Sequence, residues 1–243
     1  MSKVFAVGLG PGNAEGMTYA CRDSIERADI LVGYTKYIEL VKPLYPEKPV
    51  FSTPMLGEVE RCERALALAE EGNTVAVVCS GDAGVYGMAG LILELSEGHP
   101  SVEIEIVPGV TAALAGAGLL GAPLTHDFAV ISLSDLLTPW ELIEKRLNCA
   151  AMGDFSVVLY NPSSKKRADY LERACDILLK HKSPDTLCGV ARNIGREGES
   201  TELMTLRELK SAKADMFTTV FIGNEQTREI KGKMVTPRGY CFD

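Results

Sequence analysis

The sequence has no Cys-x-x-Cys spacing, no apolar run near the ~18 residues of a membrane span, and no Ser-His-Asp or His-Glu metal pattern. Seven scattered cysteines (21, 62, 79, 149, 175, 188 and 241) are an odd number without metal-site spacing. Neither a disulfide framework nor a thiolate-held zinc or iron-sulfur site is expected, and no protein metal site at all. The missing apolar span predicts no transmembrane helix. Histidine is scarce: His99 and His181 lie in polar, loop-like surroundings, and His126 follows a possible domain junction. Cations are outnumbered, 25 Lys and Arg against 33 Asp and Glu, for a net charge of −8. That balance argues against nonspecific binding to nucleic acid or to an anionic membrane, while allowing a locally basic pocket. The opening Met-Ser-Lys-Val-Phe-Ala-Val-Gly runs straight into a strand-like segment with no leader pattern, and a cytoplasmic location is the expectation.

What remains is an ordinary globular composition, 46% hydrophobic and 24% charged over 243 residues, enough for one large domain or two of roughly 120. Strand-like and helix-like segments alternate in the first half: 4–8, 17–28, 30–34, 58–71, 75–79, 84–97 and 102–107. This is the pattern of a mostly parallel sheet covered by helices, so the fold class is α/β. A small-residue stretch at 112–121 precedes Ala-Pro-Leu-Thr-His and marks the junction, giving expected domains 1–118 and 119–243. The second half is α/β too, with strands at 129–133, 156–160, 187–191, 200–206 and 218–223 and helices at 140–151 and 166–180.

Small and polar residues collect where the strands end. Gly8-Leu9-Gly10-Pro11-Gly12-Asn13 is a glycine-rich turn that lets a ligand approach the backbone. A dinucleotide fingerprint needs a third glycine where Asn13 stands and a helix directly after it, so that reading is disfavoured. Taken alone, the turn reads slightly better as a plain strand-to-helix connection. Ser80-Gly81-Asp82-Ala83-Gly84-Val85-Tyr86-Gly87 follows a strand at the end where open α/β sheets bind ligands. Asp82 can accept hydrogen bonds from a ribose or an ammonium, and it can equally cap the next helix. In Pro108-Gly109-Val110-Thr111-Ala112, Thr111 reads first as a helix cap. Ser132-Leu133-Ser134-Asp135, Tyr160-Asn161-Pro162-Ser163 and Arg192-Asn193-Ile194-Gly195-Arg196 end three further strands. Six such ends without a nucleophile motif point to an enzyme that positions reactants.

Taken together, Gly-x-Gly-Pro-Gly at 8–12, Ser-Gly-Asp at 80–82 with Val-Tyr-Gly at 85–87, Pro-Gly-Val-Thr-Ala at 108–112 and the strand from Thr218 to Asn224 resemble the tetrapyrrole methylases along nearly the whole chain. Segments 32–35, 79–89, 131–141 and 159–167 are similar to the branch that methylates C17 of precorrin-3B or cobalt-factor III in cobalamin biosynthesis, with ring contraction. The resemblance implies a two-domain fold with the active site in the cleft between domains, a homodimer, S-adenosylmethionine as methyl donor, and S-adenosylhomocysteine as product. Cobalt, if present, would arrive within the tetrapyrrole substrate. Carried over by position, Pro11, Ser80, Gly81, Asp82, Val85, Thr111, Ala112 and Asn161 match cofactor contacts, with Tyr86, Asn193, Thr218 and Thr219 as further candidates. Tyr34 stands where some relatives carry an acid. Tyr34, Ser132, Ser134 and Asp135 are the candidates for proton transfer and substrate control. Lys36, Lys165, Arg167, Arg192 and Arg196 are candidates for meeting the substrate's carboxylates. The alternatives are a sister enzyme methylating C11 or C20, a corrinoid carrier that consumes no cofactor, and a relative acting on a protein or RNA. The pI near 5.1 opposes RNA.

Overall fold

The computed structural model describes residues 2–164 and 168–241. The chain divides into two compact units, residues 1–112 and 113–243. In the first, β1 (Lys3–Gly8), α1 (Tyr19–Arg27), β2 (Ile30–Tyr34), α2 (Thr35–Val41), β3 (Val50–Thr53), α3 (Glu58–Glu70), β4 (Thr74–Cys79), α4 (Ala89–Ser96) and β5 (Glu103–Val107) follow one another. The five strands form one sheet in the order β3-β2-β4-β1-β5, and every pairing is parallel. Alternate residues of β1 face opposite ways: Phe5 and Val7 pack with α1 and α2 residues Cys21, Ile25 and Ile38, while Val4 and Ala6 pack with α3 and α4 residues Cys62, Leu66 and Ile92. A sheet covered on both faces needs apolar side chains on both, hence the nearly unbroken burial of β1 and β4.

The connection from β1 runs outward past β4 to β2, and that from β4 runs past β1 to β5. Neighbouring strands whose connections leave in opposite directions create the crevice where open sheets take ligands. Thr18 starts α1, its hydroxyl accepting the Cys21 N–H (3.0 Å). The helix expected at 84–97 begins only at Ala89. Tyr86, with φ of 54°, breaks the helical path through 83–88, and the turn there is so tight that a Cβ on Gly87 would lie 2.4 Å from the Ala83 carbonyl oxygen.

The second unit comprises α5 (Ala112–Leu120, entered from the last residue of the first), β6 (Gly121–Ala122), β7 (Phe128–Ser132), α6 (Trp140–Met152), β8 (Ser156–Tyr160), α7 (Tyr170–Leu178), β9 (Leu187–Arg192), β10 (Ser200–Thr205), α8 (Leu206–Leu209), β11 (Thr218–Ile222), β12 (Arg228–Ile230) and β13 (Lys233–Val235). Its main sheet, β10-β9-β11-β8-β7, is mixed: β7 and β8 are parallel, and the other pairs are antiparallel. One face carries a core of Ile143, Leu147, Leu171, Cys175 and Leu178 from α6 and α7. On the other lies α5, where a Cβ on Gly116 would come within 2.8 Å of the Phe221 ring, so glycine sets how closely helix and sheet approach.

Five cysteines, at 21, 62, 79, 175 and 188, are buried, while Cys149 and Cys241 are exposed. Burial pushes the Cys79 and Cys21 thiols up to about 11 and those of Cys62 and Cys175 up to about 12, and it raises Cys188 as well. A thiol protonated at neutral pH is no nucleophile, so Cys79 at the end of β4 is a packing residue. Brief alkylation of the native protein at pH 7.5 (roughly a unit below an ordinary thiol) should therefore label Cys149 and Cys241 alone by peptide mass. Labelling of Cys79 at a comparable rate would contradict this.

Candidate functional site

Where β1, β4 and β5 end, three loops lie backbone against backbone. Leu9 N–H donates to the Cys79 carbonyl (2.8 Å), and Gly10 and Gly81 exchange two hydrogen bonds (2.9 and 2.8 Å). Glycine is required because nothing else fits. A Cβ on Gly109 would sit 2.2 Å from the Gly81 oxygen and 2.5 Å from the Gly8 oxygen, and one on Gly8 would sit 2.6 Å from the Gly109 nitrogen.

Asp82 ties this junction together. Its Oδ1 accepts the Gly84 N–H and its Oδ2 accepts the Gly109 N–H, both at 2.8 Å. Asp82 caps no helix, since α4 starts seven residues later, at Ala89. The carboxylate joins the loop after β4 to the loop after β5, and it retains lone pairs for a ligand. Ser80 and Gly81 precede it in the same loop, and Val85 and Tyr86 follow, with the Tyr86 side chain 59% exposed and its backbone in the left-handed region. A non-glycine residue held there, with its ring in solvent, is the kind of strain that persists at functional sites. Pro11 lies beyond Gly10, Thr111 immediately precedes α5, and Ala112 is its first residue. The sheet thus brings Pro11, Ser80, Gly81, Asp82, Val85, Tyr86, Thr111 and Ala112 to its carboxyl edge. Tyr34, the last residue of β2, shares that edge, its ring edge-on to Tyr37 (5.1 Å) and 6.0 Å from the Arg61 guanidinium.

The second unit has a polar edge of its own. Ser132 pairs with Tyr160 across β7 and β8, and Thr218 pairs with Arg192 across β11 and β9. Because β11 runs antiparallel to β8, the start of β11 and the ends of β7, β8 and β9 lie at one end of the sheet. Ser132, Asn161, Asn193, Thr218 and Thr219 are therefore gathered there. The Asn161 amide donates to Ser132 Oγ (3.0 Å), and that oxygen also accepts the Ser134 N–H (3.2 Å). Asn161 and Asn193 hold φ of 52° and 50°, a conformation asparagine tolerates better than most residues. Thr218 is buried and its hydroxyl donates to Asp215 (2.7 Å), a local structural use, while Thr219 is 5% exposed.

Asp135 receives the Tyr170 hydroxyl at 2.5 Å, and this hydrogen bond, followed by desolvation, raises the Tyr170 pKa above its ordinary value. The Tyr170 ring lies against Trp140 (4.6 Å), and the Arg173 guanidinium stacks 3.9 Å from Trp140. Tyr170→Phe keeps the stack and removes the hydroxyl alone. It should lower the denaturant midpoint, since one hydrogen bond is lost, and an unchanged midpoint would mean that the pair adds nothing.

Tyr160, quoted in a strand-end motif without a role of its own, accepts the Ala113 N–H through its hydroxyl oxygen (2.6 Å) in the first turn of α5, and Arg61, absent from the sequence candidates, is 4% exposed. A tyrosine ending a strand and an arginine within an apolar helix face were the available signals. Of the proposed carboxylate readers, Lys36 pairs with Glu39 (2.8 Å), Arg192 pairs with Glu202 (3.1 Å), and Arg196 lies over Phe217 (5.1 Å). Lys165 and Arg167 lie outside the described residues. Among the described residues, no helix is long and apolar enough to cross a membrane, and no group of three or more His, Cys, Asp or Glu is placed to hold a metal ion.

Comparison with known proteins adds an independent line. A family model described as Tetrapyrrole (Corrin/Porphyrin) Methylases matches residues 3–210. A probable cobalt-factor III C(17)-methyltransferase of Salmonella typhimurium is 48% identical over 237 residues, covering 97% of this chain and 98% of that one. Its counterpart in Methanocaldococcus jannaschii is 41% identical over 246 residues, covering 98% and 97%. The crystal structure of the methyltransferase CobJ superposes with a TM-score of 0.89 at 40% identity, covering 96% of this chain and 99% of that one.

Proposed function

The chain belongs to the tetrapyrrole (corrin/porphyrin) methylases, and we propose that it moves the methyl group of S-adenosylmethionine to C17 of cobalt-factor III, with ring contraction, in building the corrin ring of cobalamin. The observation that carries the reading is full-length identity of 48% to a protein named for that reaction. S-adenosylmethionine supplies an electrophilic methyl group on a sulfonium, and cobalt enters inside the substrate.

The residues of this chain fit such a ligand. Backbone-to-backbone packing of three glycine loops sets the segments that carry Ser80, Asp82 and Thr111 beside one another at the switch point of the parallel sheet. The work of the site is orientation and exclusion of water, since in-line attack by a ring carbon requires alignment above all. Asp82 holds its two loops and offers remaining lone pairs to a ligand hydroxyl or ammonium. The backbone at Gly81 and the ring of Tyr86 enclose the ligand, and Pro11, Val85, Thr111 and Ala112 complete that edge. Asn161, Asn193, Thr218 and Thr219 are the second unit's candidates for ligand contact, Thr218 least so because its hydroxyl serves Asp215. Ser132, Asp135 and Tyr34 are assigned to proton transfer and substrate control during contraction, with Tyr170 steadying Asp135. A cytoplasmic homodimer accompanies this reading, the dimer being measurable by sedimentation.

Anaerobic incubation with S-adenosylmethionine and cobalt-factor III tests the reaction. The expected product is methylated at C17 and ring-contracted. A product methylated at C11 or C20 would transfer the protein to a sister activity.

A further inference from the structure

We propose that the loop Pro54-Met55-Leu56-Gly57 is a substrate-packing element whose exposed side chains lie against the apolar face of the macrocycle. The proposal rests on the tetrapyrrole reading above.

This loop follows β3 and shows its apolar groups to solvent: Met55 is 50% exposed, Leu56 74% and, just beyond, Val59 50%. Leu56 holds φ of 70°, a left-handed conformation that is strained for a residue with a Cβ. A leucine that is both strained and exposed gains nothing from the packing of its own unit. The loop is nonetheless tightly fixed. Arg61 Nη1 donates to Thr53 Oγ1 (2.5 Å) and to the Pro54 carbonyl (3.0 Å), Nη2 meets Glu58 (3.2 Å), and the Arg61 N–H holds the Gly57 carbonyl (3.0 Å). Gly57 N–H closes the turn onto the Pro54 carbonyl (3.4 Å), and a Cβ on Gly57 would strike Thr53 Oγ1 at 2.6 Å. A nearly buried cation thus pins an apolar loop in a strained shape, which is preorganisation without a use inside the unit.

Position supplies the occupant. Thr53 is the register partner of Tyr34, and β2 in turn lies beside β4, which is followed by Ser80, Gly81 and Asp82. With strands ~4.8 Å apart, the loop stands about 10 Å along the same carboxyl edge from the Asp82 loop, with Tyr34 between them. Arg61 touches both neighbours, binding the loop and lying 6.0 Å from the Tyr34 ring. A flat conjugated ring carries its carboxylates at the rim and presents apolar faces, and a protein of net charge −8 can grip it best through those faces. Continuity with the edge that carries Tyr34 and the Asp82 loop therefore selects the macrocycle over a second copy of the chain.

Leu56→Gly separates the alternatives, because glycine takes the positive φ without penalty. Cobalt-factor III is titrated by absorbance under anaerobic conditions into wild type and variant, beside S-adenosylhomocysteine calorimetry, sedimentation and a thermal melt. The expected result is macrocycle affinity about tenfold weaker, S-adenosylhomocysteine affinity and oligomeric state unchanged, and a cooperative melt showing that the variant folds. Met55→Ala should weaken the macrocycle in the same direction. Unchanged macrocycle affinity in both variants overturns the proposal. A shift in oligomeric state with macrocycle affinity intact overturns it in favour of self-association. Wild type that binds S-adenosylhomocysteine but no macrocycle overturns the tetrapyrrole reading itself.

Discussion

Gly109→Ala is expected to abolish saturable binding of S-adenosylhomocysteine and to destabilise the first unit by about 3 kcal/mol or more, at the upper end of overpacking costs. The added methyl would lie 2.2 Å from the Gly81 oxygen, 2.5 Å from the Gly8 oxygen and 2.6 Å from the Gly8 carbonyl carbon. All three are backbone atoms, so no side chain can swing aside. Relief requires the loops after β1 and β4 to part, which breaks the Gly10 and Gly81 hydrogen bonds and the Gly109 N–H bond to Asp82 together. Gly118→Ala is the control, since nothing lies within 4 Å of the Cβ it would add on the exposed side of α5, and there alanine should stabilise by roughly 0.5–1 kcal/mol. Thermal melts and calorimetry of both variants read the difference. A wild-type melt and titration for Gly109→Ala would mean the three-loop junction is looser than described.

Asp82→Ala is expected to weaken S-adenosylhomocysteine about 100-fold, as removal of a charged hydrogen-bonding group does, while the chain still folds. Two N–H donors lose their acceptor. That of Gly84 turns to water, whereas that of Gly109 is part-buried and drives most of an accompanying loss of about 2 kcal/mol in stability. Asp82→Asn should fall between, because its amide oxygen can take one N–H while its NH2 confronts the other. Calorimetry well below the melting temperature separates the two roles. A folded Asp82→Ala protein with wild-type affinity would leave Asp82 as a staple between loops and remove it from the ligand.

What could be read in the sequence and what could not divide along physical lines. β2, β4 and β8 stand where their apolar runs and flanking turns place them, because a strand buried on both faces announces itself by composition. β3 escaped notice: four residues at a sheet edge, preceded by Pro43, Pro46 and Pro49, carry no such run. α5 read as a junction because Ala112–Leu120 is apolar all round, its exposed Leu114 opposite a buried face of Ala113, Gly116, Ala117 and Leu120. The helix expected from 84 begins at Ala89 because periodicity is blind to the left-handed turn at Tyr86. Of the site, the strand-end motifs were legible and their meeting was not. That Gly8, Gly81 and Gly109 touch follows from the strand order β4-β1-β5, which no local pattern encodes. Nor could spacing reveal that Asp82 spends two lone pairs on backbone N–H groups, that Glu202 occupies Arg192 or that Tyr170 holds Asp135.

The most direct measurement is a calorimetric titration of the purified protein with S-adenosylhomocysteine. A single saturable site per chain, lost in Gly109→Ala, is the predicted result. A wild-type protein that folds and gives no saturable heat would contradict the placement of the methyl donor at the carboxyl edge of the β3-β2-β4-β1-β5 sheet.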